Sequence, residues 1–167
     1  MNHKFFIWRR VMKKLKNILL PVAMILVVVL STSCGKGSDA TKTFEKEQNG
    51  IKTTVTFTYI EKEDKVIKQK NEVVGEYAKL PEKKTKEQVK SILDPIVKKY
   101  QGIKGIKYTV DYKDDRYIEN IEIDFQNLDY EKAKTVFGNN FKDPSKTKIS
   151  MKQTQERVTK QGFKERK

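Results

Sequence analysis

Hydrophobic and polar residues alternate along the chain after residue 41 with the two-residue period of half-buried β-strands. The clearest run is Ile51 to Tyr59, where apolar residues alternate with lysine and threonine. Asn49-Gly50 precedes it and predicts a tight hairpin with a first strand over Lys42 to Glu47. A third strand is expected over Val66 to Tyr77, and its Val73-Val74-Gly75 stretch would suit a β-bulge.

A helical period follows this strand region. Thr85 and Gln88 have the spacing of a capping box, in which each side chain satisfies a backbone amide of the other residue. Apolar residues then recur at helical spacing on one face, and Gly102 suits the residue after the helix: Val89, Ile92, Leu93, Ile96, Val97 and Tyr100. This pattern predicts one amphipathic helix.

The remaining elements show the same two periods. The pattern predicts a strand over Ile106–Tyr112, a turn at Asp114-Asp115, a returning strand over Ile121–Phe125, a helix from Asp129 to Gly138, a short strand over Lys146–Ile149, and a last helix that begins with a capping box at Ser150 and Gln153 and ends at Gly162. The order βββ-α-ββ-α-(β)-α indicates an α+β fold, with an antiparallel sheet and helices packed on one face. We therefore expect a single domain over residues 41–167 with one uncovered sheet face.

The N-terminal region has a different character. Residues 1–33 contain six basic residues and no acidic one, and an apolar run extends from Ile18 to Leu30. This run is shorter than the ~20 residues that a transmembrane helix needs. A basic region, an apolar region and small residues in that order predict a secretory signal peptide over residues 1–33.

The segment Leu30-Ser31-Thr32-Ser33-Cys34-Gly35 resembles the lipobox of bacterial lipoproteins, although Ser31 stands where that family usually has leucine. The resemblance implies cleavage before Cys34, a diacylglyceryl thioether on its sulfur and acylation of the new amine. Two or three acyl chains make a stable membrane anchor. The alternatives are an uncleaved anchor or a free Cys34 after ordinary cleavage. With lipidation, residues 34–40 would comprise the lipidated cysteine and a short flexible tether.

Composition narrows the chemistry further. The full chain carries a formal charge of +14. Removal of residues 1–33 leaves 134 residues with 30 basic and 22 acidic side chains, no histidine and a cysteine blocked by lipid. Histidine-dependent catalysis and histidine-ligated metal sites are thereby excluded, and carboxylate, lysine or tyrosine chemistry is left. We expect no metal and no cofactor.

The basic residues of this mature part are spread along the chain and interleaved with acidic ones. Such a distribution attracts anionic lipid headgroups at a membrane surface. It lacks the focused patch with stacking aromatics that nucleic-acid binding requires, and an exported chain does not meet nucleic acid in its working compartment.

Carboxylates near the second hairpin offer two candidate sites. Asp111, Asp114 and Asp115, with Asp124 across the hairpin, have the oxygen ligands that Ca²⁺ prefers, although the spacing of a calcium-binding loop is absent and a solvated turn is the simpler interpretation. Glu122 and Asp124 share one strand face, as a pair for acid–base chemistry or simply as the polar face of a sheet.

Tyrosines offer a third candidate site. Tyr59, Tyr108 and Tyr112 alternate in phase with core residues. Core packing is therefore the default. If they lie instead on the open sheet face, they form a platform for peptide or glycan contacts.

Four segments carry a family resemblance: Thr43 to Gly50, Lys99 to Ile106, Val110 to Asp115, and Gln161 to Lys164. Together they resemble the YehR-like lipoproteins, a bacterial family catalogued as a domain of unknown function. The resemblance implies an α+β fold and a lipid anchor. It implies no activity and no functional residue besides Cys34.

The expected function is a non-catalytic binding module, anchored by lipid on the extracytoplasmic face of the membrane. Its partner would be an envelope protein, a peptide or a wall polymer. Two alternatives stay open: an enzyme or enzyme accessory that uses carboxylate, lysine or tyrosine chemistry, and a structural spacer without a ligand.

Overall fold

A computed structural model describes residues 39–138 and 141–166. Six antiparallel strands form one sheet in the spatial order β4-β5-β3-β2-β1-β6. The strands are β1 (Asp39–Gln48), β2 (Ile51–Ile60), β3 (Lys65–Glu76), β4 (Ile106–Tyr112), β5 (Arg116–Asp124) and β6 (Lys164–Glu165), and the helices are α1 (Lys86–Tyr100), α2 (Tyr130–Phe137) and α3 (Met151–Lys160). The helices pack on one face of the sheet, which confirms the predicted α+β class.

The first hairpin forms as predicted. Gln48 pairs with Ile51, and the two turn residues Asn49 and Gly50 have φ angles of 54° and 74°. Both angles are positive, as a two-residue turn between twisted strands requires. A Cβ at Gly50 would also lie 2.7 Å from the carbonyl oxygen of Lys79. Glycine is therefore favoured at position 50 both by its positive φ angle and by the close approach of Lys79.

The helix starts follow their caps. Thr85 accepts from the Gln88 amide at 3.3 Å, and the Gln88 side chain accepts from the Thr85 amide at 3.0 Å, which completes the predicted capping box. Ser150 also caps α3, but only half of the predicted box exists there, because Oε1 of Gln153 has no hydrogen-bond partner among the described residues. Asp64 contributes a different bond to this helix start, because its carboxylate accepts from the Lys152 amide at 2.9 Å.

The bulge lies elsewhere than predicted. The register between β2 and β3 shifts between Thr58 and Tyr59, whereas the pairing through Val73, Val74 and Gly75 is regular. Gly75 has a different role, since a Cβ there would collide with the ring of Tyr117, whose Oη would lie 2.7 Å away. The glycine makes room for a buried aromatic ring of the neighbouring strand.

Several boundaries differ from expectation. β1 begins at Asp39, so the last two residues of the predicted tether already belong to the sheet. The short strand expected over residues 146–149 is reduced to one bridge between Lys65 and Ser150. Instead, Lys164 and Glu165 add β6 to the edge of β1. The predicted signal peptide and Cys34 lie outside the described residues.

The main core fills the space between the sheet and the helices. Phe44, Val55, Ile121 and Leu93 are among its fully buried members. A smaller cluster of Ile103, Ala133 and Phe141 lies around α2. No helix in residues 39–138 and 141–166 is both long and apolar enough to cross a bilayer.

Candidate functional site

The uncovered face of the sheet is polar and rich in threonine. Thr54, Thr56 and Thr58 project from β2 on the face opposite to the core residues Val55 and Phe57, and all three are half-buried. Thr43 on β1 lies directly across from Thr56, and their hydroxyl oxygens are 3.0 Å apart. The alternation of β-branched residues thus places a ladder of hydroxyl groups in the middle of this face, which we call the open face.

Charged side chains border this ladder. Lys70 lies between Thr56 and Glu122 in one cross-strand row, and Lys68 lies between Thr58 and Asp124 in the next row. Lys68, Lys70 and Glu122 are exposed. Because opposite charges lie side by side, the open face offers donors and acceptors rather than one sign of charge.

The tyrosines predicted as core residues lie on the covered face. Tyr59 and Tyr108 are buried, with 9% and 6% of their surface exposed. Tyr112 is half-buried and its hydroxyl donates to Asp94 at 2.7 Å. The core interpretation is confirmed, and the alternative of a tyrosine platform on the open face is wrong, because the even-numbered residues of β4 face the helices.

A buried carboxyl group lies among these tyrosines. Glu119 of β5 has 4% of its surface exposed and points to the covered face. The Tyr108 hydroxyl donates to its Oε1. Its cross-strand neighbours are Val73 and Val110, which offer no hydrogen bond through their side chains. Within the described residues, Oε2 of Glu119 and the hydroxyls of Tyr77 and Tyr117 have no hydrogen-bond partner.

This environment shifts the titration of the whole cluster. Burial raises the pKa of Glu119 to about 7, and the hydrogen bond from Tyr108 opposes part of that shift. Burial and the neighbouring Glu119 carboxylate in turn raise the pKa of the Tyr108 and Tyr117 hydroxyls. The carboxyl group is therefore protonated in a large fraction of molecules near neutral pH, and the tyrosines stay protonated.

Glu119 was missed by the sequence reasoning, although the sequence contains its signal. Tyr117, Glu119, Ile121, Ile123 and Phe125 occupy every second position, so the phase of the apolar residues extends back through the glutamate. The predicted strand began at Ile121 and stopped that phase too early. What the phase does not give is the tyrosine partner, which the pairing of β4 with β5 supplies.

The structure separates the four aspartates proposed for Ca²⁺. Asp111, Asp114 and Asp115 are near the β4–β5 turn, and they pair with Lys113, Lys86 and Arg116 respectively. Asp124 lies at the opposite end of β5. No group of three or more metal-ligating side chains occurs in the described part of the chain.

Glu122 and Asp124 lie on the open face, as the alternation predicted. Asp124 is occupied by the following turn, because its carboxylate accepts from the Gln126 amide at 3.0 Å and from the Asn127 side chain at 2.9 Å. Asp124 is therefore held by the turn that follows β5, whereas Glu122 is exposed to solvent.

A shallow cleft of about 380 Å³ lies where β1 meets the end of α3. Charged side chains line it, among them Glu45, Lys46 and Lys164. Lys46 crosses toward the covered face, where its Nζ donates to the Gln161 carbonyl at 2.9 Å and lies 5.9 Å from the centre of the Phe163 ring. The cleft is thus bordered by a lysine that already has partners.

Comparisons with known proteins give consistent matches. Residues 40–164 match a family model described as "Protein of unknown function (DUF1307)". The "Uncharacterized lipoprotein Lin0239" of Listeria innocua is 35% identical over 154 residues, which cover 92% of this chain and 98% of the relative. The "Uncharacterized lipoprotein YehR" of Escherichia coli is 34% identical over 147 residues, which cover 87% of this chain and 93% of the relative.

Solved structures agree with the fold. The NMR structure of the E. coli YehR protein is similar with a TM-score of 0.60 and 30% identity, over 77% of this chain and 91% of that chain. The NMR structure of a protein from Streptococcus pneumoniae has a TM-score of 0.53 at 18% identity, over 84% of this chain and 93% of that chain, which shows the fold alone.

The relatives are named as lipoproteins, which supports a membrane-anchored protein of the cell envelope. The family resemblance seen in the sequence is confirmed by the family model and by YehR itself. The chain belongs to the DUF1307 family, whose curated relatives are lipoproteins of unknown function.

Proposed function

We propose that this lipoprotein is anchored through lipid on Cys34 at the extracytoplasmic face of the membrane, and that its domain binds a hydrophilic partner of the envelope through the open face. The partner is a protein, a peptide or a wall polymer. The observation that carries the proposal is one uncovered, polar face on a sheet whose other face holds the whole core.

The composition of the open face supports a polar partner. Threonine hydroxyls donate and accept hydrogen bonds, and lysines and carboxylates flank them on both sides. Apolar side chains on this face are restricted to half-buried ones such as Val74 and Ile118. A partner rich in hydroxyl, amide or charged groups complements such a surface better than an apolar one does.

A binding role fits the chemistry better than catalysis. The carboxyl group with the raised pKa, Glu119, is buried beneath the helices and does not line the cleft. A general acid or base has to come within hydrogen-bond reach of its substrate, about 2.6–3.2 Å. Glu119 supports the covered face of the sheet instead.

Capture from detergent-solubilised membranes tests the proposal. The wild-type chain should retain a reproducible partner after crosslinking, and Cys34→Ser should lose it together with membrane attachment. The double variant Thr43→Val and Thr56→Val removes two hydroxyls while preserving shape and should reduce capture. Thr159→Val, an exposed position on α3, is the matched control and should capture normally.

The results separate the two parts of the proposal. If Cys34→Ser still sediments with membranes, the anchor is not lipid on Cys34. If the Thr43→Val and Thr56→Val chain captures the same proteins and polymers in the same amounts as the wild type, the open face is not the binding surface.

A further inference from the structure

The two edges of the sheet differ in how far they are closed. β6 lies along one edge, where it pairs with Phe44 and Glu45 of β1. β4 forms the other edge, and no strand within the described residues pairs with its outer side. An unpaired edge strand offers its backbone groups to another extended chain. The outer side of β4 is therefore a place where a partner strand can add to the sheet.

The hydrogen bonds between β4 and β5 show which backbone groups of β4 point outward. At one end of the pair, the Lys113 amide donates to the Arg116 carbonyl at 2.8 Å. At the other end, the Asp124 amide donates to the Gly105 carbonyl at 2.7 Å. Bonded and non-bonded pairs alternate in an antiparallel ladder, and the register along β4 has no shift, so the odd-numbered residues of β4 bond to β5. The even-numbered residues direct their amides and carbonyls outward.

Three residues of β4 have outward backbone groups without a partner. They are Tyr108, Val110 and Tyr112, and no hydrogen bond to these outward groups forms within residues 39–138 and 141–166. The amide of Ile106 is occupied, because it donates to the Ile103 carbonyl at 3.1 Å. The free part of this edge therefore extends from Tyr108 to Tyr112.

The side chains of β4 make the strand complementary to itself. Its open-face residues are Lys107, Thr109 and Asp111, and all three are exposed. If a second copy of β4 pairs antiparallel with Thr109 opposite Thr109, each Lys107 lies opposite an Asp111. On the covered face the same register places Tyr108 opposite Val110. Opposite charges, threonine pairs and aromatic residues beside β-branched ones are all favourable cross-strand neighbours.

The hydrogen-bonding phase of β4 is compatible with this register. Thr109 bonds inward to β5, so two Thr109 residues would form a non-hydrogen-bonded pair, whereas Tyr108 and Val110 would exchange hydrogen bonds. Shifted registers that keep this phase lose the charge pairing. With Val110 opposite Val110, Lys107 would lie opposite Lys113, and with Tyr108 opposite Tyr108, it would lie opposite Thr109. The charges therefore select one register.

Both charged residues are available for such a pairing. Lys107 forms no ion pair with another residue of the described part of the chain. Asp111 pairs with Lys113 at 2.7 Å, but the side chains of both are more than half exposed. A lysine on an edge strand normally keeps that edge from pairing. An aspartate of a second copy, placed opposite Lys107, removes this obstacle.

We propose that the outer edge of β4 is an interface between two copies of this chain, which pair antiparallel about Thr109 and continue the sheet from one copy into the other. The two-fold axis is then perpendicular to the sheet, so the two open faces lie on the same side and form one continuous surface. Because a single edge of seven residues is smaller than a standard interface, we expect a weak, concentration-dependent dimer. The inference depends neither on the lipid anchor nor on the proposed binding role.

Disulfide trapping tests the register. Cys34→Ser in the full chain, purified in detergent, leaves no cysteine, so each introduced cysteine reports alone. In this background Thr109→Cys should form a disulfide-linked dimer on mild oxidation with diamide. The Cα atoms of a non-hydrogen-bonded pair lie about 4.5 Å apart, which suits a disulfide. Lys70→Cys, at an exposed position on the open face of β3, is the matched control and should stay monomeric.

Two further positions test the direction of pairing. Lys107→Cys alone and Asp111→Cys alone should form few disulfides, because two copies of either residue would lie about 14 Å apart across the interface. A mixture of these two chains should form the mixed dimer, because the two positions face each other. Equal linking of each single variant and of Thr109→Cys would indicate random collision and contradict the register.

Charge reversal tests the interface at equilibrium. Lys107→Glu alone and Asp111→Lys alone each place like charges opposite each other twice in the dimer. Each should weaken self-association about tenfold in analytical ultracentrifugation. The two substitutions in one chain exchange the charges and should restore association to within about threefold of the wild type. Urea unfolding of every variant separates weakened association from loss of the fold.

Three outcomes contradict the inference. The interface is not at β4 if Thr109→Cys links no more chains than Lys70→Cys does. The charges do not pair across it if the chain with both reversals associates as weakly as the folded single variants. A wild-type chain whose sedimentation does not change with concentration would show that the two copies do not associate. Loss of the proposed partner capture with an intact dimer would instead concern the open face.

Discussion

Tyr117 and Ile118 are neighbours on β5, and they show how differently the two faces of the sheet are used. The Tyr117 ring is completely buried on the covered face, over Gly75 and 6.3 Å from the ring of Tyr77. Ile118 is half-buried on the open face, between the side chains of Val74 and Asp111. The covered face therefore buries the apolar core of the described residues, whereas side chains on the open face stay in contact with solvent.

The largest expected effect separates these two neighbours. Tyr117→Ala removes a fully buried ring and should lower the free energy of unfolding by about 3–5 kcal/mol. Ile118→Ala should lower it by less than about 1 kcal/mol, since much of that side chain already contacts water. Urea unfolding of both variants measures the difference. Equal losses would contradict the division between the faces.

The next effect is a pH dependence of stability from the covered face. The folded pKa of Glu119 is about 7 against an ordinary value of 4.5. Between these two values the folded state retains a proton that the unfolded state releases, so stability falls as the pH rises. At about 1.4 kcal/mol per pKa unit, the loss amounts to roughly 3 kcal/mol between pH 4.5 and 7.

Glu119→Gln tests the assignment of this pH dependence. The amide does not titrate, so the free energy of unfolding should become nearly flat between pH 4.5 and 7. The acids with lowered pKa values, Glu87, Asp115, Asp129 and Asp143, act with the opposite sign and below this window. A variant that keeps the wild-type slope would show that Glu119 is not its source.

A smaller effect tests the close contact between β3 and β5. Gly75→Ala places a methyl group against the Tyr117 ring and should cost about 1–3 kcal/mol. In the Tyr117→Ala background the same substitution should cost clearly less, because the ring that it meets is gone. Additive losses in the double variant would mean that the glycine serves another purpose.

The smallest effect is expected on the open face. Thr43→Val and Thr56→Val remove a hydroxyl pair that is 3.0 Å apart and leave two β-branched residues in place. The free energy of unfolding should change by no more than about 0.5 kcal/mol. A larger loss would give these threonines a structural role and weaken the case for a binding surface.

Local signals were enough to predict most elements. The Asn49-Gly50 turn and the box of Thr85 with Gln88 depend on groups a few residues apart, so their geometry is contained in short sequence segments. The short strand expected at residues 146–149 does not form, because strand formation needs a partner and the pairing seen in the described residues is a single bridge between Lys65 and Ser150. β6 was missed for the same reason, since its two residues become a strand only beside β1.

The candidate site was less predictable than the elements. Alternation placed Glu122 on the open face and Tyr108 in the core, because the side-chain period of a strand fixes such sides. Alternation did not reveal that Asp124 lies far from Asp111, since the distance depends on the length and register of the β4–β5 pair. It also gave no sign that Gly75 faces Tyr117.

By itself the sequence determined the α+β class and the absence of histidine after residue 33, and it predicted a lipid anchor at Cys34, because periodicity, composition and a short motif are properties of consecutive residues. Tertiary structure decided which groups meet. The Tyr108–Glu119 hydrogen bond and the Thr43–Thr56 hydroxyl pair each join residues of two paired strands, which are 11 and 13 positions apart in sequence. Strand pairing brings such residues within a few ångströms of each other. At that distance, inside the protein, hydrogen bonds and neighbouring charges act strongly on one another.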